Sequence, residues 1–191
     1  MAKKFPYYRQ LDAMDCGPTC LRMVAQHYGR HYSLQSLREK GHLTREGVSL
    51  LGISKAAEEI GFETLGVKID LKTLEEEAPL PAIVHWRQEH FVVVHKIDKK
   101  GIHVADPALG KMVLSPKEFL HSWASDQHQG VAEGIALLLE PSPDFYELEC
   151  EKMSRANFRI FLPYLRQYKA FLWQLGLGLY VASLLQLIFA F

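Results

Sequence analysis

Residues 170–191, AFLWQLGLGLYVASLLQLIFAF, carry no Lys, Arg, Asp or Glu, and Gln174, Ser183 and Gln186 are their only strongly polar side chains. A run of this length crosses the ~30 Å hydrocarbon core of a bilayer as one helix, so it predicts a transmembrane helix. Gly176 and Gly178 are costly in a soluble helix and ordinary in a membrane one. Five basic residues precede the run within residues 150–169 (Lys152, Arg155, Arg159, Arg166 and Lys169), against Glu151 alone. That asymmetry puts the N-terminal side in the cytoplasm. The first 15 residues have no apolar stretch, which excludes a signal peptide there. The span runs to Phe191, and this points to a piece of a longer membrane protein.

The 191 residues are 48% hydrophobic and 23% charged, which excludes disorder, collagen and coiled coil. The net charge of zero hides an uneven distribution. Residues 1–149 hold 17 Lys and Arg against 21 Asp and Glu, a net of −4, and no nucleic-acid partner is expected. Cys16, Cys20 and Cys150 are an odd number for a disulfide framework and form no CxxC pair, so reduced thiols and a cytoplasmic compartment are expected.

The organisation expected from the pattern is α+β. Residues 16–28 place Cys20, Leu21, Val24, Ala25 and Tyr28 at helical spacing, with Pro18 in the first turn and Gly29 as the stop. Ser33 and Ser49 are N-caps for two further helices, through Arg38 and Ile60. The period then changes. Residues 62–69 alternate, and 82–86, 90–97, 102–106, 111–114 and 134–140 read as strands joined by short turns, which makes a mostly antiparallel sheet. Ser115 caps a helix over 116–123, and Pro141-Ser142-Pro143 closes the compact part. This gives three segments: a domain over 1–143, a linker with an amphipathic elbow helix over 144–169, and the span over 170–191.

Cys16 sits where a helix begins, and a thiol there faces unpaired N–H groups and the positive end of the dipole, which favour thiolate. Gly17 gives a substrate close access to the sulfur, and Asp15 is placed to cap the helix. Among nine histidines, His90 is the best placed base, at the start of the apolar strand HFVVV. His85, His90 and His95 are five apart, so successive members fall on opposite faces and no metal site is expected. Asp106, ending the next strand, can orient the imidazole if register allows. An odd loop centred on Lys99 puts it opposite Val92 on the His90 face; a two-residue loop puts it on the other. Gln10 completes the set as an amide donor to an oxyanion beside the Cys16 N–H. Gln, Cys, His, Asp is the order of papain-like enzymes.

QLDAMDCGPTCLRMVAQHYG, HFVVVHKI and IHVADPALGK together resemble the N-terminal cysteine peptidase domain of bacteriocin-processing ABC exporters. The likeness covers about residues 5–140, and 154–191 resemble the entry into the first membrane helix of those transporters. The resemblance implies a papain-like fold and a thiol peptidase that removes the leader of a secreted peptide after a Gly-Gly pair, on the cytoplasmic side of the bacterial inner membrane, before export. It implies Cys16 as nucleophile, His90 as base, Asp106 as orienting acid and Gln10 as oxyanion donor. It also implies the rest of an ABC exporter as partner, as a homodimer. These residues contain no GxxxxGK[ST] loop, so ATP and Mg are expected only in a separate nucleotide-binding domain, and no other cofactor is expected. An apolar groove should take the leader, with Tyr7, Tyr8 and Trp86 as candidate lining. Two other readings use the same residues: a docking module that binds the leader without cutting, and an acyltransferase or amidase with the same triad.

Overall fold

A computed structural model describes residues 4–41, 49–128, 131–148 and 168–189. The chain divides into two compact units, Met1–Met153 and Ser154–Phe191. In the first, a 3-10 turn (Ala13–Asp15) leads into α1 (Cys16–His27), followed by α2 (Leu34–Lys40) and α3 (Leu50–Glu59). Ser33 and Ser49 each accept the N–H three residues on, from Ser36 and Gly52, both at 3.1 Å. Then come β1 (Phe62–Asp70), α4 (Leu71–Glu76), β2 (Ala82–Trp86), β3 (His90–Asp98), β4 (Gly101–Asp106), β5 (Gly110–Leu114), α5 (Pro116–Trp123), β6 (Ala124–His128), β7 (Val131–Pro141) and α6 (Pro143–Glu147). Ser115 and Glu118 cap α5 reciprocally, with Pro116 in its first turn.

The strands form one sheet in the order β1-β7-β2-β3-β4-β5, with β6 also on β7, and every pairing is antiparallel. The expected α+β class, with helices first and sheet second, is therefore what the chain folds into. Ile83, Phe91, Val93, Ala105 and Leu137 join α1, α2 and α3 in one core. Val84, Trp86, Val92, Val94 and Val104 join Phe119 and Trp123 of α5 in a second. Both faces of the central strands are buried, which is why β2 and β3 read as continuous apolar runs rather than alternating ones.

The β3–β4 hairpin resolves the register question in a way neither loop length anticipated. Asp98 pairs with Gly101, so the loop is the two-residue one, Lys99–Lys100. A β-bulge then intervenes: Lys96 pairs with His103 and Val94 with Val104, leaving His95 as the extra residue. The shift makes Val93 pair with Ala105, and one step further Asp106 stands opposite Val92. The bulge restores the face that a two-residue loop alone would have lost.

The linker expected from residue 144 starts inside the core. Phe145 of α6 is fully buried against Phe62 (ring centroids 4.4 Å apart) and Tyr28 (6.3 Å). The Arg30 Nε donates to the Phe145 carbonyl at 2.6 Å, and its Nη2 donates to Leu148 O. Gly61 lets this happen: at φ +93°, a Cβ there would come within 2.5 Å of the Phe145 Cα. Phe145→Ala is expected to destabilise this unit by about 3–5 kcal/mol, read as a lowered midpoint in thermal unfolding. The elbow helix expected over 154–168 lies outside the described residues up to 167. In the second unit, α7 (Lys169–Phe189) is a single helix of 21 residues, long and apolar enough to cross a membrane.

Candidate active site

β3 begins at His90 and β4 ends at Asp106, so the antiparallel pairing brings both to the same end of the sheet. The Nε2 atom of His90 lies 2.9 Å from Asp106 Oδ1. The same oxygen accepts the backbone N–H of Ala108 at 2.7 Å and of Leu109 at 3.3 Å. Asp106 thus caps its own Asp-Pro turn and holds the imidazole with one atom. Asp106 is 2% exposed. Burial alone would raise its pKa, but donation by His90 and Ala108 outweighs burial and holds it below the usual carboxylate value.

α1 lies across β3, and Cys20 fixes where. The Cys20 Sγ donates to Phe91 O at 3.2 Å, so Cys16, one turn earlier, reaches the His90 end of the strand. Cys16 is close enough to His90 for its sulfur to act on the imidazole, raising the His90 pKa. With Nε2 turned to Asp106, Nδ1 is the ring nitrogen left for the thiol. Burial would lower the His90 pKa, but the bond to Asp106 and the nearby Cys16 overcome it and raise it to about 9. A sulfur, an imidazole and a carboxylate therefore stand in line at a helix N-terminus, an arrangement that supports nucleophilic attack and proton return. Cys20 is different. Buried completely, its thiol is pushed well above the ordinary value by desolvation and by the nearby Cys16 and Asp106.

Gln10 joins this end of the sheet through its backbone, whose N–H donates to Pro107 O at 3.0 Å. Its amide oxygen is buried and has no partner among the described residues. Tyr7 OH reaches the same Pro107 carbonyl at 3.4 Å. Asp15 departs from expectation. It occupies the N-cap position of α1 without a side-chain cap bond. Its fully buried carboxylate instead takes Arg38 Nε at 2.7 Å and Nη2 at 2.6 Å, and accepts Asp12 N at 3.1 Å. The carboxylate ties α2 to the turn that joins Gln10 to Cys16. Arg38 looks in sequence like a solvent-facing cation near a helix end, and no local signal marks it as a partner of Asp15. Trp86 packs on Phe119 in the second core, 5.4 Å between ring centroids, so it does not line a groove at the site. Tyr8 is half-buried, with Arg22 4.0 Å above its ring.

Residues 4–127 match the model of the peptidase C39 family. The chain belongs to that family. C39 members are cysteine peptidases, and this C39 chain is 37% identical over 159 residues to the transport/processing ATP-binding protein ComA of Streptococcus pneumoniae, covering 80% of this chain and 21% of ComA. It is 34% identical to the lactococcin-G-processing and transport ATP-binding protein LagD of Lactococcus lactis, over 75% of this chain and 20% of LagD. The C39 chain spans about a fifth of the length of these relatives. Among solved structures, a double glycine motif protease from an AMS/PCAT transporter, in complex with the leader peptide, aligns with TM-score 0.65 and 31% identity, over 73% of this chain and 93% of that one. The peptidase domain of Streptococcus ComA, a bi-functional ABC transporter, aligns with TM-score 0.62 and 33% identity, over 73% of this chain and all of that one.

Proposed function

We propose that this chain is the peptidase segment of a bacterial peptide exporter, cutting the leader from a secreted precursor after a Gly-Gly pair on the cytoplasmic side of the inner membrane. The observation that carries the reading is the line Asp106–His90–Cys16 at the head of α1. Its likeness to a double glycine motif protease held with a leader peptide supports the choice of substrate. The Cys16 thiolate attacks the carbonyl carbon of the second glycine. The oxyanion takes hydrogen bonds from the Cys16 N–H and the Gln10 amide nitrogen. His90 gives its proton to the departing amine, the C–N bond breaks, and a thioester remains on Cys16. Water then attacks the thioester, passing a proton to His90, and the leader leaves as a carboxylic acid. The exporter to which the chain belongs is proposed to be a homodimer anchored here through 170–191, with ATP and Mg chemistry in a separate nucleotide-binding domain.

The test is the full chain in detergent with a synthetic leader–core peptide, read by mass spectrometry. Cleavage after the second glycine supports the reading; binding without cleavage overturns it in favour of a docking role. The rate should also depend on pH in a defined sense. His90 must be protonated to expel the amine, so the rate falls as pH rises through about 9. Stability follows the same group. His90 has a raised pKa, so its contribution is full below the ordinary value of 6.5 and is lost as pH rises through about 9. Thermal unfolding midpoints between pH 6 and 10 read this directly.

A further inference from the structure

Between Lys4 and Gln10 the chain runs as a strap without regular structure, and among these residues only Phe5 is buried, at 8% exposure. Its ring lies flat on His95, with centroids 4.4 Å apart and planes 5° from parallel, and is tilted against His27 at 5.4 Å. Lys111 Nζ donates to the Phe5 carbonyl. The slot is therefore built by α1, by the bulged residue of β3 and by edge strand β5. Its floor stays uncharged near neutrality. Burial, with the neighbouring His103, Lys111 and His27, lowers the His95 pKa to about 4. At its other end the strap is pinned by Gln10 N–H to Pro107 O at 3.0 Å, on the turn that Asp106 caps.

Resting on the cleavage reading above, we propose that Phe5 is a positioning residue, whose seat between His27 and His95 holds the strap so that the Gln10 amide stays aimed at the oxyanion. The bond from Gln10 N–H to Pro107 O holds the strap at its Gln10 end, where Tyr7 OH meets the same carbonyl at 3.4 Å and Arg22 lies over the Tyr8 ring, but these part-buried contacts leave the Lys4 end to Phe5. The Phe5 ring, five residues earlier and buried, is the firm anchor at the far end, and with both ends held the strap keeps one direction. With Phe5 gone, the aimed pose is populated for only part of the time, and turnover falls by that fraction. Substrate binding, made elsewhere along the leader, is largely kept.

The test is Phe5→Ala in the full chain. Its kcat on the Gly-Gly peptide is expected to fall about tenfold to a hundredfold with KM within threefold, and Phe5→Leu, which refills the slot, should recover most of the loss. Because Phe5 acts through Gln10, Phe5→Ala added to Gln10→Ala should change kcat by less than twofold. Alkylation of Cys16 by iodoacetamide needs the thiol and His90 but no oxyanion donor, so its rate should stay within twofold. An unchanged kcat, a full-sized loss on the Gln10→Ala background, or a parallel fall in alkylation overturns the proposal. Hydrogen exchange at the Gln10 amide reads the same anchoring without turnover. It should accelerate in Phe5→Ala, and unchanged protection sinks the idea even if no Gly-Gly peptide is ever cut, which would be the failure of the cleavage reading instead.

Discussion

Cys16→Ala is expected to abolish cleavage of a Gly-Gly leader–core peptide, with a loss on the order of 10⁶ in kcat and the peptide still bound. Among the described residues no other thiol can take its place. Cys20, four residues on, is completely buried, and its Sγ is committed to Phe91 O at 3.2 Å. Its raised pKa keeps it a neutral thiol, a poor nucleophile. His90→Ala should cost nearly as much, because without the imidazole the thiol has no proton acceptor and the departing amine no donor. The double variant should then be no worse than either single one, the mark of residues that act as a unit. Cleavage by mass spectrometry and peptide binding by calorimetry separate the two quantities. Residual thiol-independent cutting by Cys16→Ala would remove the cysteine from the mechanism.

What the sequence revealed, and what it hid, divides by the range of the forces involved. The head of α1 was legible because capping and periodicity are local: Pro18 in the first turn, Gly29 at the end, and Ser33, Ser49 and Ser115 each bonded within three residues of themselves. His90 stood out because a polar residue opening the run FVVV has few reasons to be there. The register of Asp106 did not follow from loop length, because a bulge at His95, whose ring meets Phe5 and His103, shifts the pairing away from the loop. Asp15 was misread for the same reason. Its position implies a cap, but Arg38, 23 residues away, takes both carboxylate oxygens. The depth of Phe145 was equally invisible, since the Pro-rich stretch before it looks like an ending until Gly61 and Arg30 are brought beside it. In each case a residue's partner lies far along the chain, where neither propensity nor spacing reaches.

Asp106→Ala should lose about 10⁴ in kcat, far more than a substitution that only removes one charge. A single oxygen, Oδ1, holds His90 Nε2 at 2.9 Å, Ala108 N at 2.7 Å and Leu109 N at 3.3 Å. Alanine therefore frees the imidazole to rotate and also releases the turn whose Pro107 carbonyl holds Gln10 N. Base and oxyanion donor are disturbed together. Losing the part-buried bonds to the Ala108 and Leu109 N–H groups should cost a further ~1 kcal/mol of stability. Asp106→Asn separates orientation from charge. The asparagine oxygen can keep all three donors, so the imidazole stays in place and the loss near pH 6 should be about tenfold or less. The charge that helps hold the His90 pKa near 9 is gone, so that pKa falls back toward 6.5. The alkaline limb of the rate profile then moves to lower pH, and the deficit of Asp106→Asn grows between pH 6 and pH 8. A profile displaced in the other direction, or one parallel to wild type at every pH, would mean that the carboxylate charge does not hold the proton on His90.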